Sequence, residues 1–440
     1  MNLAVNPSLY AKHLEIMMKR ADWALKDTEF EHLLIPSGTV HYHAFDDIAY
    51  PYAVNPYFKN WLPLTQSPES WLVYTPGWRP QLIYYQAEDY WHAEPVMPSG
   101  DWIEHFAIHI IRQPQQALLF LPKNSSKCAI IGEPKSALES YIPNNPESVI
   151  FNLNWQRSFK TDYELELMRQ AQVLAVRGHR AAIDAFYAGG SEFDIHMAYC
   201  RCAKQDAYEL PYANIVALNE HAAILHYDKP NKYIPKKQYS FLLDAGASVN
   251  GYVSDITRTY AAIGHNEFQS LINAVEVVQQ KLCNEIKNGV DYKQLHLKAH
   301  LLLAQVLFDF NIINVCAQNA LETGLSSVFF PHGLGHLLGA QVHDVGGLQS
   351  GSHGGQIERP QGHPYLRLTR TLQSGMVVTI EPGIYFIDLL LEKAKQTSLV
   401  SSINWQAVDF FRPYGGIRIE DNILCTQTAA ENLTRNAFSI

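Results

Sequence analysis

The chain is poor in the features that would tie it to an oxidising compartment, a membrane or a nucleic acid. Its six cysteines (Cys128, Cys200, Cys202, Cys283, Cys316 and Cys425) are scattered over 440 residues without a disulfide framework. Reduced thiols and a cytoplasmic location are the simplest expectation. Cys200 and Cys202 stand too close together for a usual zinc knuckle, and no second pair complements them. No apolar run approaches the roughly 18 residues of a membrane span, so no membrane association is expected. Residues 1–7 hold neither a basic segment nor an apolar one, so no signal peptide is expected. Positive charge is short as well. A formal net charge of −9 argues against nucleic acid, since phosphate neutralisation needs a cationic surface. Internal repeats and low-complexity tracts are also lacking.

What is present is an ordinary globular composition, 47% hydrophobic and 18% charged. A chain of 440 residues is too long for one core, so two domains are expected. Residues 8 to 26 place Leu9, His13, Leu14, Met17, Met18, Ala21 and Leu25 at helical spacing. Strand-like runs follow at His32–Ile35, Trp71–Tyr74, Gln81–Tyr85, Ala117–Leu121 and Cys128–Ile131, predicting an α/β domain over residues 1–158. Its many aromatics, from Tyr50 to Trp91, read as core and interface packing. Past the polar stretch Pro143-Asn144-Asn145-Pro146, Thr161 and Glu164 stand at capping-box spacing before a helical stripe. A second domain, residues 159–440, alternates strands with helices, two of them near Glu267–Ile286 and Tyr292–Phe310.

Four segments of that second domain carry chemistry. From Tyr239 to Tyr260 the pattern is a hairpin with Asn250-Gly251 as its two-residue turn. That register sets Asp244 opposite Thr257, with Asp255 two residues along the same strand. Both aspartates then share one face as a diagonal pair about 7–8 Å apart. Such a gap suits two carboxylates converging on ions about 3.5 Å apart. In Phe329–His336, followed by His343, Gly333 and Gly335 disfavour a helix and present His332 and His336 from a loop. One of the three histidines is a candidate ligand and the others candidate hydrogen-bond donors or proton carriers. Val377–Ile380 is an apolar strand ending in Glu381. From Gly415 to Asn422, strand alternation puts Ile417 and Ile419 on one face and Arg418, Glu420 and Asn422 on the other. Arg418 there is open to an ion pair or to a substrate carboxylate. Four acidic residues and one histidine at strand ends and bent loops form an O/N ligand set suited to Mn²⁺, Co²⁺ or Zn²⁺.

Taken together, DAGA…DITRT, PHGLGHxxGxxVHD, TIEPGIY and GGIRIEDN resemble the pita-bread metallopeptidases, the family of methionine aminopeptidase, aminopeptidase P and prolidase. The segment from Phe45-Asp46-Asp47 through Tyr50-Pro51-Tyr52 to Trp61-Leu62-Pro63 is similar to that of bacterial Xaa-Pro dipeptidases, a group that includes the organophosphorus acid anhydrolases. The resemblance implies an α/β N-terminal domain, serving dimerisation and pocket cover, and an α+β pita-bread catalytic domain. It implies hydrolysis of Xaa-Pro dipeptides by a metal-bridging hydroxide, with two divalent ions, Mn²⁺ foremost. Asp244 and Asp255 would chelate one ion, Asp255 and Glu420 would bridge to the second, and Glu381 and His336 would complete its shell. The resemblance further implies Glu381 as proton shuttle, with His343 and His332 stabilising the oxyanion. His226 and Arg418 would clamp the substrate carboxylate, and Tyr212, Val342 and His343 would line a small leaving-group pocket. Asp47 of the partner subunit in a homodimer would meet the substrate amine, with Asp46 an equal candidate. Side activity on organophosphate triesters would follow from the same chemistry. The readings set against it are an aminopeptidase P acting on longer peptides and a non-catalytic pita-bread binding module, whose members have lost ligands.

Overall fold

The computed structural model describes residues 6–440, so most of the segment read for a leader, residues 1–5, lies outside the described residues. By contact the chain divides into two units. The first runs to Leu167 and takes in 250–252 and 349–355; the second holds the remainder.

The first unit opens with a helix over Pro7–Leu25. Asn6 caps it by accepting the Ser8 N–H at 3.0 Å, and Pro7 supplies a preset φ for its first turn. A mixed five-stranded sheet follows, ordered Ala107–Ile111, Gln81–Tyr85, Trp71–Tyr74, His32–Pro36, Cys128–Ile130. Its two outer pairings are parallel and its two inner ones antiparallel. Leu34, Trp71, Val73, Ile83, Ile111 and Ile130 build the core on one face. The expected strand over Ala117–Leu121 is corrected: Pro114–Leu119 is a 3₁₀ helix. Proline at its first position starts the turn, and the Gln116 side chain accepts the Arg112 and Gln113 N–H groups at 2.7 and 3.1 Å, tying the segment to a turn conformation. The fifth strand is instead Ala107–Ile111, which sequence reading passed over.

The capping box forms as expected: Glu164 accepts the Thr161 N–H at 2.8 Å, and Thr161 Oγ1 accepts the Glu164 N–H at 3.3 Å. Glu164 is fully buried and also accepts from Asn60 Nδ2 (2.9 Å) and the Tyr252 hydroxyl (3.1 Å), with Arg20 3.9 Å away. Burial pushes its carboxyl up, but His13, Arg20 and Lys160 outweigh that and hold it below the ordinary range. Glu164→Ala should therefore destabilise the first unit by about 3 kcal/mol, because it strands buried donors and a cation. Denaturant unfolding would measure this; an unchanged midpoint would remove Glu164 as a structural hub.

In the second unit, Ile215–Leu218, Ser240–Asp244 and Thr257–Ala261 form an antiparallel sheet. The helices over Asp162–Tyr187 and Glu192–Ala203 contribute Ala182, Phe186, Ile195 and Tyr199 to a core with Val216, Leu218, Phe241 and Leu243. Val377–Ile380, Asp421–Cys425 and Ala430–Asn432 form a second three-stranded sheet, and Gly383–Tyr385 pairs with Gly416–Arg418. Long helices span Asn266–Asn284 and Tyr292–Asp309, close to the predicted bounds. Separate sheets and helices within one unit make it α+β, as expected. No helix among the described residues is long and apolar enough to cross a membrane, and all six cysteines are free thiols.

Candidate active site

The hairpin supplies the first two carboxylates. Asn250 and Gly251 adopt φ of 48° and 82°, the left-handed pair that a two-residue hairpin turn requires. The turn locks the register, and Thr257 stands opposite Asp244 as expected. Asp255 lies just before this ladder, its backbone clamped by Asn422: the Asp255 N–H donates to Asn422 Oδ1 at 2.9 Å, and Asn422 Nδ2 donates to the Asp255 carbonyl at 2.6 Å. Gln172 in turn donates to Asn422.

Glu420 sits where the predicted single strand breaks in two. Gly416–Arg418 and Asp421–Cys425 pair with different partners, and Glu420 makes an isolated bridge with Thr257. Thr257 Oγ1 donates to Glu420 Oε2 at 2.6 Å. Glu381 follows the end of Val377–Ile380, and its N–H donates to the Leu334 carbonyl at 2.9 Å. That bond brings the histidine loop alongside. The loop is irregular, as its glycines predicted, and a Cβ at Gly335 would collide with the Thr379 carbonyl and the Tyr292 hydroxyl.

These elements bring Asp244, Asp255, His336, Glu381 and Glu420 to the floor of one cavity of about 450 Å³. His336 Nε2 lies 3.5 Å from Asp255 Oδ2 and 3.8 Å from Glu381 Oε1. One ligand atom from each of Asp255, His336 and Glu420 falls within 4.8 Å of the others. His226, His332, His343 and Arg418 line the walls, with Leu225, Ile387 and Leu390 on the apolar side. Tyr212 and Val342 are not in that lining. The Tyr212 hydroxyl instead contacts Asp244 Oδ1 at 2.8 Å and Asp255 Oδ1 at 2.6 Å, and Val342 is half-buried beside His343.

The donor set fits divalent metal. Burial, reinforced by the other carboxylates, pushes Glu420 well above the carboxylate range and Glu381 up to about 7. Asp244 is raised too, by burial first, despite Arg418. Such mutual repulsion is what cations relieve. A hydroxyl has one proton, so Tyr212 satisfies only one of its two aspartate contacts, a second sign of missing positive charge. His336 Nδ1 lies 3.0 Å from the Leu337 carbonyl; donation there directs Nε2 toward the carboxylates as a ligand nitrogen.

Around this floor the polar groups are fixed. Arg418 donates to Asp244 Oδ2 at 2.6 Å, to Thr257 Oγ1 at 3.1 Å and to the Tyr385 hydroxyl at 3.0 Å. The Tyr385 hydroxyl is also 2.8 Å from His332 Nε2, while His332 Nδ1 donates to the Gly333 carbonyl at 2.8 Å. Burial and Arg418 push His332 down to about 3, so it is neutral. Burial and His336 take His343 down to about 4. From sequence Thr257 had only a register position and Asn422 only a strand face, and Tyr385 was not named. The further signal for a role was membership of TIEPGIY, DITRT and EDN. In the first unit Asp47 is exposed, while Asp46 Oδ1 accepts the N–H groups of Asp47 and Ile48 at 2.7 and 3.3 Å.

A cavity floored by four carboxylates and an imidazole, within an α+β unit of this kind, defines a metal-dependent hydrolase of the pita-bread class. Residues 8–155 match the Xaa-Pro dipeptidase N-terminal domain, and residues 166–427 match metallopeptidase family M24. The chain belongs to metallopeptidase family M24. It is 61% identical over 432 residues to the Xaa-Pro dipeptidase of Stenotrophomonas maltophilia strain K279a, covering 98% of each chain. The Xaa-Pro dipeptidase of Xanthomonas euvesicatoria pv. vesicatoria is 59% identical, again with 98% of each covered. Among solved structures, Pseudomonas aeruginosa aminopeptidase PepP superposes with a TM-score of 0.74 at 21% identity, covering 99% of this chain and 96% of that one. Yersinia pestis proline aminopeptidase P II gives 0.71 at 20%, covering 98% and 97%. These distant structures share the fold, and the family read from the four motifs is borne out.

Proposed function

We propose that this chain hydrolyses Xaa-Pro dipeptides. One observation carries the reading: relatives 59–61% identical over 98% of their length bear the name Xaa-Pro dipeptidase, and here the expected ligand positions meet in one cavity. Asp244, Asp255, His336, Glu381 and Glu420 would hold two divalent ions, Mn²⁺ foremost. When bound, such ions polarise a carbonyl and lower the pKa of water. Asp255, which contacts both His336 and Tyr212, would serve both ions.

The remaining groups bind, orient and move protons. Glu381 turns Oε1 toward His336 and Oε2 toward His332, whose Nδ1 is 3.7 Å away. It takes a proton from the attacking water and returns it to the departing proline nitrogen. His343, neutral on the cavity wall, donates to the developing oxyanion, with His332 positioned behind it. Arg418 spends three N–H donors on Thr257, Tyr385 and Asp244, leaving two of its five for the substrate carboxylate beside His226. That clamp on a terminal carboxylate restricts the enzyme to dipeptides. Leu-Pro is expected to turn over at least about tenfold faster than Leu-Pro-Gly, one fixed carboxylate contact being worth roughly 1.4 kcal/mol or more. Faster cleavage of the tripeptide would transfer the chain to the aminopeptidase P reading.

The same proposal includes a cytoplasmic homodimer in which residues 1–158 provide dimerisation and pocket cover. Asp47 of the partner subunit receives the substrate amine; Asp46 is spent on its own turn. Phe45 and Ile48, flanking Asp46 and Asp47, are exposed on the first unit and offer apolar side chains to a second copy. Phe45→Asp should shift the species seen by light scattering toward monomer and lower kcat/KM for Leu-Pro; a dimer of unchanged strength and activity would remove this surface from the interface.

A further inference from the structure

Three histidines outside the carboxylate centre pack against one another. His296 and His300 are one turn apart on the helix Tyr292–Asp309, and His363 comes from a distant loop. Their ring centroids are 4.5 to 4.7 Å apart in all three pairings. His296 and His300 are each 1% exposed, while His363 is half-buried and opens the cluster toward solvent. One ring nitrogen from each lies within 4.8 Å of the others, and His296 Nε2 is 3.0 Å from His363 Nδ1.

Hydrogen bonding inside the protein leaves one buried nitrogen of this cluster unpaired. His300 Nδ1 pairs with Ser326 Oγ at 3.0 Å, but its Nε2 is buried without a hydrogen-bond partner. Phe330 packs against the same ring with centroids 4.7 Å apart, beside the other two imidazoles. A native fold seldom leaves such an atom unpaired without a role for it. Burial, then the neighbouring imidazoles, push His300 down to about 2 and His296 to about 3, so protons do not compete for their lone pairs near neutrality.

We propose that His296, His300 and His363 form a second metal site, an all-nitrogen one for a borderline transition ion such as Zn²⁺. The i, i+4 spacing puts two imidazoles on one helix face, the third closes the triangle, and the solvent side leaves a fourth position for water. The donor set separates it from the carboxylate centre. Three imidazoles without a carboxylate favour Zn²⁺, Ni²⁺ or Cu²⁺ over Mn²⁺. One contact sharpens this preference. His296 Nδ1 accepts the Leu334 N–H at 3.2 Å, so the metal-free ring carries its proton on Nε2, shared with His363. An ion on Nε2 moves that proton to Nδ1 and gives up the Leu334 bond. The cost falls on affinity, and ions that bind imidazole weakly cannot meet it.

The test is equilibrium dialysis of the manganese-loaded protein against one equivalent of Zn²⁺ per chain, with elemental analysis of both metals. One zinc should be retained per chain with manganese content unchanged. His363→Ala, at a half-exposed position, should weaken zinc retention at least about tenfold and leave manganese and the circular dichroism spectrum as in wild type. His300→Gln should weaken it likewise. Zinc held only by displacing manganese, or held equally well by both variants, would overturn the proposal. A protein that fails to load manganese would count against the carboxylate centre instead, and the comparison of variant with wild type would still decide this one.

Discussion

Asp255→Asn is expected to abolish Leu-Pro hydrolysis and metal retention together while leaving the fold intact. The carboxamide matches the carboxylate in shape and can still face Tyr212, so the hairpin and the Asn422 clamp on its backbone persist. What it removes is the one negative charge that, on the proposed reading, would serve both ions. Lewis-acid stabilisation is worth several kcal/mol, which at tenfold per 1.4 kcal/mol amounts to a loss of roughly 10³–10⁴ in kcat. Added Mn²⁺ should raise the thermal midpoint of the wild type and not that of the variant, because an ion that binds only the folded state stabilises it by mass action. A variant that keeps its activity would mean that the constellation is misassigned.

Glu381→Gln is expected to separate chemistry from binding. Its oxygens are 3.8 Å from His336 Nε2 and 3.7 Å from His332 Nδ1, between the ligand set and the cavity wall. A glutamine keeps one oxygen for an ion but has no site for a proton. Asp255, His336, Glu420 and Asp244 remain, so metal binding should weaken by less than in Asp255→Asn. Proton transfer by a positioned side chain contributes about 10²–10⁴-fold, and kcat should fall within that range with KM for Leu-Pro little changed. A fall confined to KM would make Glu381 a binding residue only.

Local rules made the carboxylate pair legible before any fold was known. Asn250-Gly251 is a strong two-residue turn signal, and a turn of known length sets the register, so Asp244 had to face Thr257. The capping box at Thr161 and the long helices at 266–284 and 292–309 likewise depend on near neighbours. Less legible were features settled by long-range pairing. Ala117–Leu121 reads as an apolar strand, but Pro114 and the Gln116 side chain turn it into a 3₁₀ helix. Alternation placed Arg418 and Glu420 on one face, yet gave no sign that the strand breaks between them. The break lets Arg418 reach Asp244 and Tyr385 while Glu420 meets Thr257. Tyr385 shows the limit plainly. Nothing local marks it as the link between His332 and Arg418, because that link forms only when Gly383–Tyr385 pairs with Gly416–Arg418.

On the proposed reading, a centre of two metal ions on these five residues drives cleavage before proline. This central claim is tested most directly by titrating Mn²⁺ into chelator-stripped protein while following Leu-Pro hydrolysis. Activity should be absent in the stripped protein and rise with added metal to a plateau near two equivalents per chain. Full hydrolysis without metal, or none with both equivalents bound, would contradict it.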